Sequence, residues 1–328
     1  MARFLIPRRF VLALASVALL LPAPGHSQAT YPNKPIRIVV PFASGGSTDL
    51  LARRVGDKLA AAWGQAVVVD NRPGAGGTIG ADFVAKSAPD GYTLLAGVTG
   101  SNAIAQALYP KLPYDVMKDF SPVSMIVSAP LVLAVNPDVE AKTAAEFLAL
   151  IKSKPGALSY GSAGNGTSMH LTGEMYKQAA EVSMVHVPYR GSAGMLTDLM
   201  SGQIQVTFGD VLVLLPQIEA GKIRALAVTS KARLPLLPDL PTLNEAGLEG
   251  FEALSWQGFF APAGTPPELV EKLSAEVNRA MRSPDIKDYF AARGFVVEGT
   301  TPEAFKTFIA SEVKKWTPIV KSAGVQAD

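Results

Sequence analysis

Three glycine-rich loops contain the residues of this sequence that are best suited to chemistry. They span residues 41–49, 71–77 and 160–167, and serine or threonine accompanies glycine in the first and the third. Glycine lets a backbone approach a ligand closely, and hydroxyl groups donate hydrogen bonds to it. A helix that starts at such a loop adds the unpaired N–H groups of its first turn. The loops therefore predict anion binding without lysine, against the simpler interpretation that the glycines only form turns.

Motifs for nucleotide binding and for common enzyme classes do not match. A P-loop requires Gly-Lys-Ser/Thr, which none of the loops contains, and Gly-x-Gly-x-x-Gly fails because Ile79 and Met169 stand at its last position. A nucleophile elbow fails because Tyr160 stands two residues before Ser162. With no cysteine, and with His170 and His186 as the histidines after residue 29, we expect no metal site and no cofactor.

Several further side chains are candidates for ligand contacts, each with a structural alternative. His170 follows the third loop and either faces the site or packs and caps, whereas His186 lies in a predicted strand and is expected to be structural. Arg190, next to Tyr189, either pairs with a ligand carboxylate or forms a salt bridge. Asp210 either accepts from an amino or hydroxyl group of the ligand or caps the next helix, and the cap is the favoured alternative.

The loops lie between predicted strands and helices that alternate along the chain. Strands are predicted at 36–40, 67–69, 92–96, 158–160, 184–187, 204–208 and 224–229, and helices at 48–62, 143–152, 167–180 and 191–200. The strand at 67–69 is expected to be buried, and the chain after residue 241 to be mostly helical. This alternation predicts mostly parallel sheets flanked by helices, with ligand-binding loops at the carboxyl ends of the strands.

The apolar stretch at 123–135 predicts the connection between two lobes. It is too long for an average strand, and Pro130 inside it indicates a break or a sheet edge. We predict that it leaves one lobe and enters the next. The expected organisation is a signal peptide at 1–29, lobe 1 at 30–127 and 229–328, and lobe 2 at 128–228.

The N-terminal residues predict export. Arg3, Arg8 and Arg9 precede an apolar stretch at 10–21, and small residues mark a cleavage position near Ala29. The stretch is too short to span a bilayer, so we expect cleavage, a periplasmic location and no stable membrane anchor. The first 29 residues hold three of the 30 basic residues and none of the 28 acidic ones, so the remaining net charge is −1. That charge gives no reason to expect nucleic acid as a partner.

Motifs spread over the chain after residue 29 resemble those of one family. They include Tyr31-Pro32-Asn33-Lys34-Pro35-Ile36, Pro41-Phe42-x-x-Gly45-Gly46-x-x-Asp49, Asn71-Arg72-x-Gly74-Ala75-Gly76-Gly77, Tyr160-Gly161-Ser162-x-Gly164-x-Gly166-Thr167 and Val187-Pro188-Tyr189-Arg190-Gly191. Together they resemble the Bug (Bordetella uptake gene) family, the solute-binding proteins of tripartite tricarboxylate transporters.

The resemblance implies an α/β fold of the two-lobe periplasmic binding protein type II, with a ligand cleft between the lobes. It implies that the loops at 42–49 and 162–168 hold a ligand carboxylate, partly through ordered water, and that the protein serves membrane permease subunits. We expect a monomer that captures a dicarboxylate, tricarboxylate or aromatic acid without being an enzyme. The alternatives are an exported serine hydrolase that uses Ser162 and His170, and a periplasmic sensor module for a signalling partner.

The residues predicted to bind the ligand fall into three groups. They are Phe42, Ala43, Ser44, Gly45, Gly46, Ser47, Thr48 and Asp49 in the first; Gly76, Thr99 and Ser101 in the second; and Ser162, Ala163, Gly164, Gly166, Thr167, Ser168, His170, Tyr189, Arg190 and Asp210 in the third.

Overall fold

The computed structural model describes residues 31–325, and the compact unit that contains the strands and helices starts at Lys34. The predicted signal peptide, with its cleavage near Ala29, lies outside the described residues. The chain up to its longest strand forms β1 (Ile36–Val40), α1 (Ser47–Trp63), β2 (Val67–Asn71), α2 (Thr78–Ala85), β3 (Thr93–Val98), α3 (Ala105–Leu108) and β4 (Phe120–Val135).

A second series of strands and helices follows β4. It comprises α4 (Ala144–Ser153), β5 (Ser159–Ser162), α5 (Ser168–Ala180), β6 (Val185–Pro188), α6 (Ser192–Ser201), β7 (Val206–Asp210), α7 (Val211–Glu219) and β8 (Arg224–Val228). The C-terminal part adds β9 (Leu254–Pro262), α8 (Pro267–Arg282), α9 (Pro284–Ala291), β10 (Val296–Val297) and α10 (Pro302–Ala323).

The strands are ordered β2-β1-β3-β9-β4-β7-β5-β6, with β8 and β10 also paired to β4. Pairing is parallel within β2-β1-β3 and within β7-β5-β6, and antiparallel where β9 and β4 join these two groups. The predicted α/β architecture with mostly parallel strands is confirmed. Each parallel group directs the carboxyl ends of its strands, and the loops that follow them, to one edge.

β4 joins the two groups of strands. Its residues up to Pro130 pair with β9, and those from Leu131 onward pair with β7 and β8. Pro130 does not break the strand, because it lies at the point where β4 exchanges one neighbour for another. At this point the N–H of Leu131 donates to the Thr229 hydroxyl at 2.8 Å. The point at which β4 changes neighbours lies close to the lobe boundary predicted at 127–128. That boundary stays a prediction.

One expectation about strands was wrong. β2 is not a buried strand, because it lies at the edge of the sheet and Val68 is 53% exposed. The chain after residue 241 is mostly helical, as predicted, but it also contains β9, which lies in the sheet between β3 and β4 and was not predicted. Two side chains of β9, Ser255 and Gln257, line the cavity described below.

Candidate functional site

A cavity lies at the carboxyl ends of the parallel strands from both halves of the sheet. About 410 Å³ of space there, open solvent at its mouth included, is free of protein atoms. Its wall consists of Phe42, Gly46, Ser47, Thr48, Val98, Ala163, Thr167, Ser168, Met169, Ser192, Asp210, Ser255 and Gln257. None of these wall residues is lysine or arginine, so backbone N–H groups and hydroxyls are the donors that the wall offers.

The first loop supplies one helix start to the cavity. Gly46 is the N-cap residue of α1, and no side chain caps this helix. Ser47 and Thr48 form the first turn and line the cavity. The positive end of a 17-residue helix therefore faces the cavity, with two hydroxyls beside it.

Asp49 fixes the shape of this loop from outside the cavity wall. Its carboxylate accepts hydrogen bonds from the N–H of Gly45 at 3.0 Å and from the Asn71 amide at 2.9 Å, and it pairs with Arg53 at 2.9 Å. Burial opposes ionisation of Asp49, but the hydrogen bonds from Arg53, Gly45 and Asn71 outweigh it and lower its pKa. Asp49 is thus an ionised anchor that holds the loop in place.

The third loop supplies the second helix start. Thr167 caps α5 by accepting from the N–H of His170, and its hydroxyl donates to the Gly164 carbonyl at 2.8 Å. Ser168 and Met169 follow in the first turn of α5 and line the cavity with Thr167. A third helix, α6, starts at Ser192, which lies in the wall as well.

Two stacked histidines support the third loop from below. Nδ1 of His170 accepts the N–H of Gly166 at 3.0 Å, and the ring of His186 lies parallel to it with centroids 3.8 Å apart. Nε2 of His186 is 2.7 Å from the Ser162 hydroxyl. Burial lowers the pKa of His170 to about 4 and that of His186 to about 3, so both rings are neutral at neutral pH.

The two halves of the sheet meet on either side of the cavity. The N–H of Ala43 donates to the Arg190 carbonyl at 3.0 Å. A Cβ at Gly76 would overlap the Asn165 carbonyl oxygen, and one at Gly100 would come within 2.8 Å of the Gly166 carbonyl oxygen. Because no side chain fits at these contacts, glycine allows the backbones to approach and close over the cavity.

The structure brings some predicted site residues into the cavity wall and leaves others outside it. Those in the wall are Phe42, Gly46, Ser47, Thr48, Ala163, Thr167, Ser168 and Asp210. Those outside are Ala43, Ser44, Gly45, Asp49, Gly76, Thr99, Ser101, Ser162, Gly164, Gly166, His170, Tyr189 and Arg190. Most residues outside the wall lie in the loops whose other members form it.

Three of the outer residues make side-chain contacts with other residues instead, and a fourth is exposed. The Thr99 hydroxyl accepts the N–H of Trp256 at 2.9 Å, and the Ser101 hydroxyl donates to Asn102 at 2.7 Å. The Tyr189 hydroxyl donates to Asp198 at 2.6 Å, and Arg190 is exposed.

Asp210 does not cap α7, although it stands at the N-cap position of that helix. The Ser47 hydroxyl donates to its Oδ2 instead, which connects β7 to the start of α1 across the cavity. Burial raises the pKa of Asp210, and the Ser47 and Ser255 hydroxyls oppose this without outweighing it. The favoured cap alternative was therefore wrong for the side chain.

Sequence reasoning missed Val98, Met169, Ser192, Ser255 and Gln257 as wall residues. Ser192 directly follows Gly191 at a predicted helix start. A glycine and a hydroxyl residue at a helix start are the same signal that predicted ligand binding by the other loops. Ser255 and Gln257 alternate with Trp256 and Gly258 along β9, a period of two that indicates a strand. Because Gly258 follows Gln257 and a proline-rich stretch precedes β9, this pattern was not recognised as a strand.

Comparison with known proteins identifies the family. The family model described as the tripartite tricarboxylate transporter family receptor matches residues 51–325. This chain belongs to that receptor family. The structure of the periplasmic binding protein BugD is similar to it, with 35% identity, a TM-score of 0.87 and coverage of 91% of this chain and 100% of BugD. The resemblance to the Bug family is confirmed.

Two receptors of R. palustris with bound acids are similar as well. The one solved with adipate is 37% identical, with a TM-score of 0.87 over 90% of this chain and 99% of its own. MatC from Rhodopseudomonas palustris, solved with malate, is 34% identical, with a TM-score of 0.85 over 88% of this chain and 100% of its own. These neighbours confirm the two-lobe binding-protein fold. No helix within residues 31–325 has the length and apolar character to cross a membrane.

Proposed function

We propose that this receptor captures a small organic carboxylate in the cavity between its two halves and delivers it to the permease subunits of a tripartite tricarboxylate transporter. The observation that carries the proposal is the convergence of the α1 and α5 starts on one cavity whose wall holds hydroxyls but no lysine or arginine. The acids bound by the two R. palustris relatives, adipate and malate, support the ligand class.

The donors of the wall are numerous enough for useful affinity. A hydrogen bond to a charged group contributes roughly 1.5–3 kcal/mol net. Three or four such bonds from the first turns of α1 and α5 approach the ~8 kcal/mol of a micromolar complex, before the cost of ordering ligand and loops. The site therefore needs no charged side chain to hold a carboxylate.

Closure of the two halves over the ligand accounts for the glycine contacts. The backbone contacts of Ala43 with Arg190 and of Gly76 with Asn165 join loops from the two halves of the sheet. We propose that the lobes separate at these contacts in an open state and that a bound carboxylate, held by donors from both lobes, favours the closed state.

The location and partners follow from the family and the N-terminal residues. We propose export to the periplasm with cleavage near Ala29, release from the membrane and action as a monomer. The net charge of −1 after cleavage supports a small-molecule ligand over a nucleic acid.

We further propose capture without turnover. Nδ1 of His170 already accepts the N–H of Gly166, so its lone pair is not free to take a proton from Ser162. Ser162 itself is fully buried, and its hydroxyl lies between the Gly164 carbonyl at 3.0 Å and Nε2 of His186 at 2.7 Å, while it accepts the N–H of Gly164 at 3.1 Å. These contacts argue against the hydrolase alternative and assign both residues to the architecture of the loop.

A thermal-shift screen of the mature protein tests the binding function. Dicarboxylates, tricarboxylates, aromatic acids and amino acids are compared, each beside its neutral amide as the matched control. A cognate acid at ~100 times its Kd adds roughly 2.7 kcal/mol to the free energy of unfolding, and its amide adds none. Equal stabilisation by acid and amide, or no stabilisation by any acid, would contradict the proposal.

A further inference from the structure

Two buried oxygen atoms of the cavity wall have no hydrogen-bond partner among the described residues. They are Oδ1 of Asp210 and Oε1 of Gln257. Asp210 is 6% exposed and Gln257 is 2% exposed, and both line the cavity. Buried polar atoms are nearly always paired, and leaving one unpaired costs roughly 1–3 kcal/mol. Two unpaired acceptors in one wall therefore call for a donor from the ligand.

The neighbouring contacts define which atoms accept. The Ser47 hydroxyl occupies Oδ2 of Asp210, which leaves Oδ1 with its lone pairs free. The amide nitrogen of Gln257 lies 3.4 Å from the same hydroxyl, so its Oε1 is the group left over. One hydroxyl thus contacts both side chains of the cavity wall, and each side chain keeps one oxygen without a partner.

The charge of Asp210 limits the kind of donor. Burial raises the pKa of this carboxyl and favours its neutral form. A neutral carboxyl can lie beside a ligand carboxylate without like-charge repulsion. With its proton on Oδ2, in the contact with the Ser47 oxygen, Oδ1 is the carbonyl oxygen and accepts a hydrogen bond. The other nearby acid, Asp49, lies outside the wall and is paired with Arg53.

We propose that the ligand carries a hydroxyl group in addition to its carboxylate, and that Asp210 Oδ1 and Gln257 Oε1 accept the hydrogen bond of that hydroxyl. This inference rests on the proposed carboxylate-binding function and names the ligand class within it. The helix starts of α1 and α5 hold the carboxylate, and Asp210 of β7 and Gln257 of β9 bind the hydroxyl.

A hydroxyl fits this wall better than an ammonium group. An ammonium brings a full positive charge and three donors, and its burial requires an ionised partner. For that purpose the wall offers a neutral amide and a carboxyl whose raised pKa favours its neutral form. A hydroxyl brings no charge, and the two oxygens share its one donor in a bifurcated hydrogen bond.

Isothermal titration calorimetry on matched acids tests this inference. The pairs are malate with succinate, lactate with propionate, and 3-hydroxyadipate with adipate, and aspartate serves as the amino counterpart of malate. In the pair that fits the cavity, we expect the hydroxy acid to bind at least tenfold more tightly than its deoxy partner. A site built around a hydroxyl rejects the analogue that lacks it.

Two variants connect that preference to the wall. Asp210→Ala is expected to reduce the preference to within about twofold, and Gln257→Met, which keeps the length of the side chain, to reduce it in part. If Asp210→Ala does not fold, Gln257→Met alone provides the test, with folding checked by circular dichroism.

Several outcomes would overturn the inference. They are equal affinity for both members of every pair, an undiminished preference in the folded variants, and tighter binding of aspartate than of malate and succinate. If no acid binds at all, the proposed function itself fails and the inference falls with it; if deoxy acids bind as well as hydroxy acids, only the inference fails.

Discussion

His170 and His186 are largely buried bases that contact the third glycine-rich loop, and their burial has a consequence for stability. The rings stack 3.8 Å apart, and one of them holds the loop by accepting the N–H of Gly166. In the unfolded chain each histidine titrates near its ordinary pKa of ~6.5. In the folded protein, burial lowers the pKa of His170 to about 4 and that of His186 to about 3.

We therefore predict a loss of stability as the pH falls from ~6.5 towards 4. In this window the unfolded chain binds protons that the folded protein does not, so the free energy of unfolding decreases by up to ~1.4 kcal/mol per pH unit for each ring. Above pH ~6.5 both states are neutral and the contribution of the rings is constant. Urea unfolding at a series of pH values measures the slope.

The variants His170→Gln and His186→Gln provide the matched comparison. Glutamine keeps a hydrogen-bond acceptor but does not titrate, whereas the carboxylates that also titrate in acid are unchanged. The slope between pH 6.5 and 4 should be shallower in each variant. An identical slope in the variants and the natural protein would refute this role of the two rings.

For single residues, the sequence predicted which residue types line the cavity better than it predicted the contacts of each side chain. Ser47, Thr48, Thr167 and Ser168 line the cavity wall, as predicted. Their place was predictable because their loops join a strand to a helix, a connection that the local sequence indicates. The contacts of Asp210 were not readable, since its partner Ser47 is 163 positions away along the chain.

The middle glycine loop and the third loop form the contact that closes one side of the cavity. Gly76 has φ +62° and lies against the Asn165 carbonyl, and Gly164 lies against Gly76 from the other side. This approach is a property of two loops together, because each glycine lies against the backbone of the other loop.

Gly76→Ala is expected to weaken ligand binding tenfold or more. The added Cβ would overlap the Asn165 carbonyl oxygen and hold the two loops apart. Gly64→Ala is the matched control, because Gly64 has φ +64° and nothing lies within 4 Å of its added Cβ. Both variants carry the strain of a left-handed alanine, about 1 kcal/mol of stability.

Calorimetry with the acid found in the thermal screen separates the two effects. Gly64→Ala should keep its affinity within about twofold while it loses stability. Unchanged affinity in Gly76→Ala would mean that closure at this contact does not contribute to binding.

Most elements were predictable, and β9 shows why one was not. Alternating strands and helices with short loops give a local signal, and β1, α1, α5 and β7 lie close to their predicted positions. β9 pairs with β3 and β4, both far away in the chain, and its glycine and aromatic residues resemble those of a loop or a buried helix. Its place in the sheet depends on those distant partners, which a local pattern cannot reveal.

At the scale of the whole molecule β4 joins the two halves of the sheet, because it pairs with strands of both. The sequence predicted this connection from the length of the apolar stretch, but not that Pro130 would stay inside a continuous strand. The position of the cavity between the halves was predictable, because ligand-binding loops are expected at the carboxyl ends of parallel strands.

A second, larger groove provides a competing location for a ligand. It encloses about 1320 Å³ between β8 and the proline-rich segment at 236–241, and Lys142 and Arg224 belong to its lining. The guanidinium of Arg224 is occupied by the carbonyl oxygens of Pro137, Val139 and Ala141. We expect ligands in the smaller cavity, where hydroxyls and helix starts converge.

A crystal structure of the mature protein with the acid that stabilises it most tests the carboxylate site directly. We predict carboxylate oxygens at roughly 2.7–3.2 Å from backbone N–H groups or hydroxyls in the first turns of both α1 and α5. An acid bound in the groove beside β8, or held in the cavity by one half of the molecule alone, would contradict this prediction.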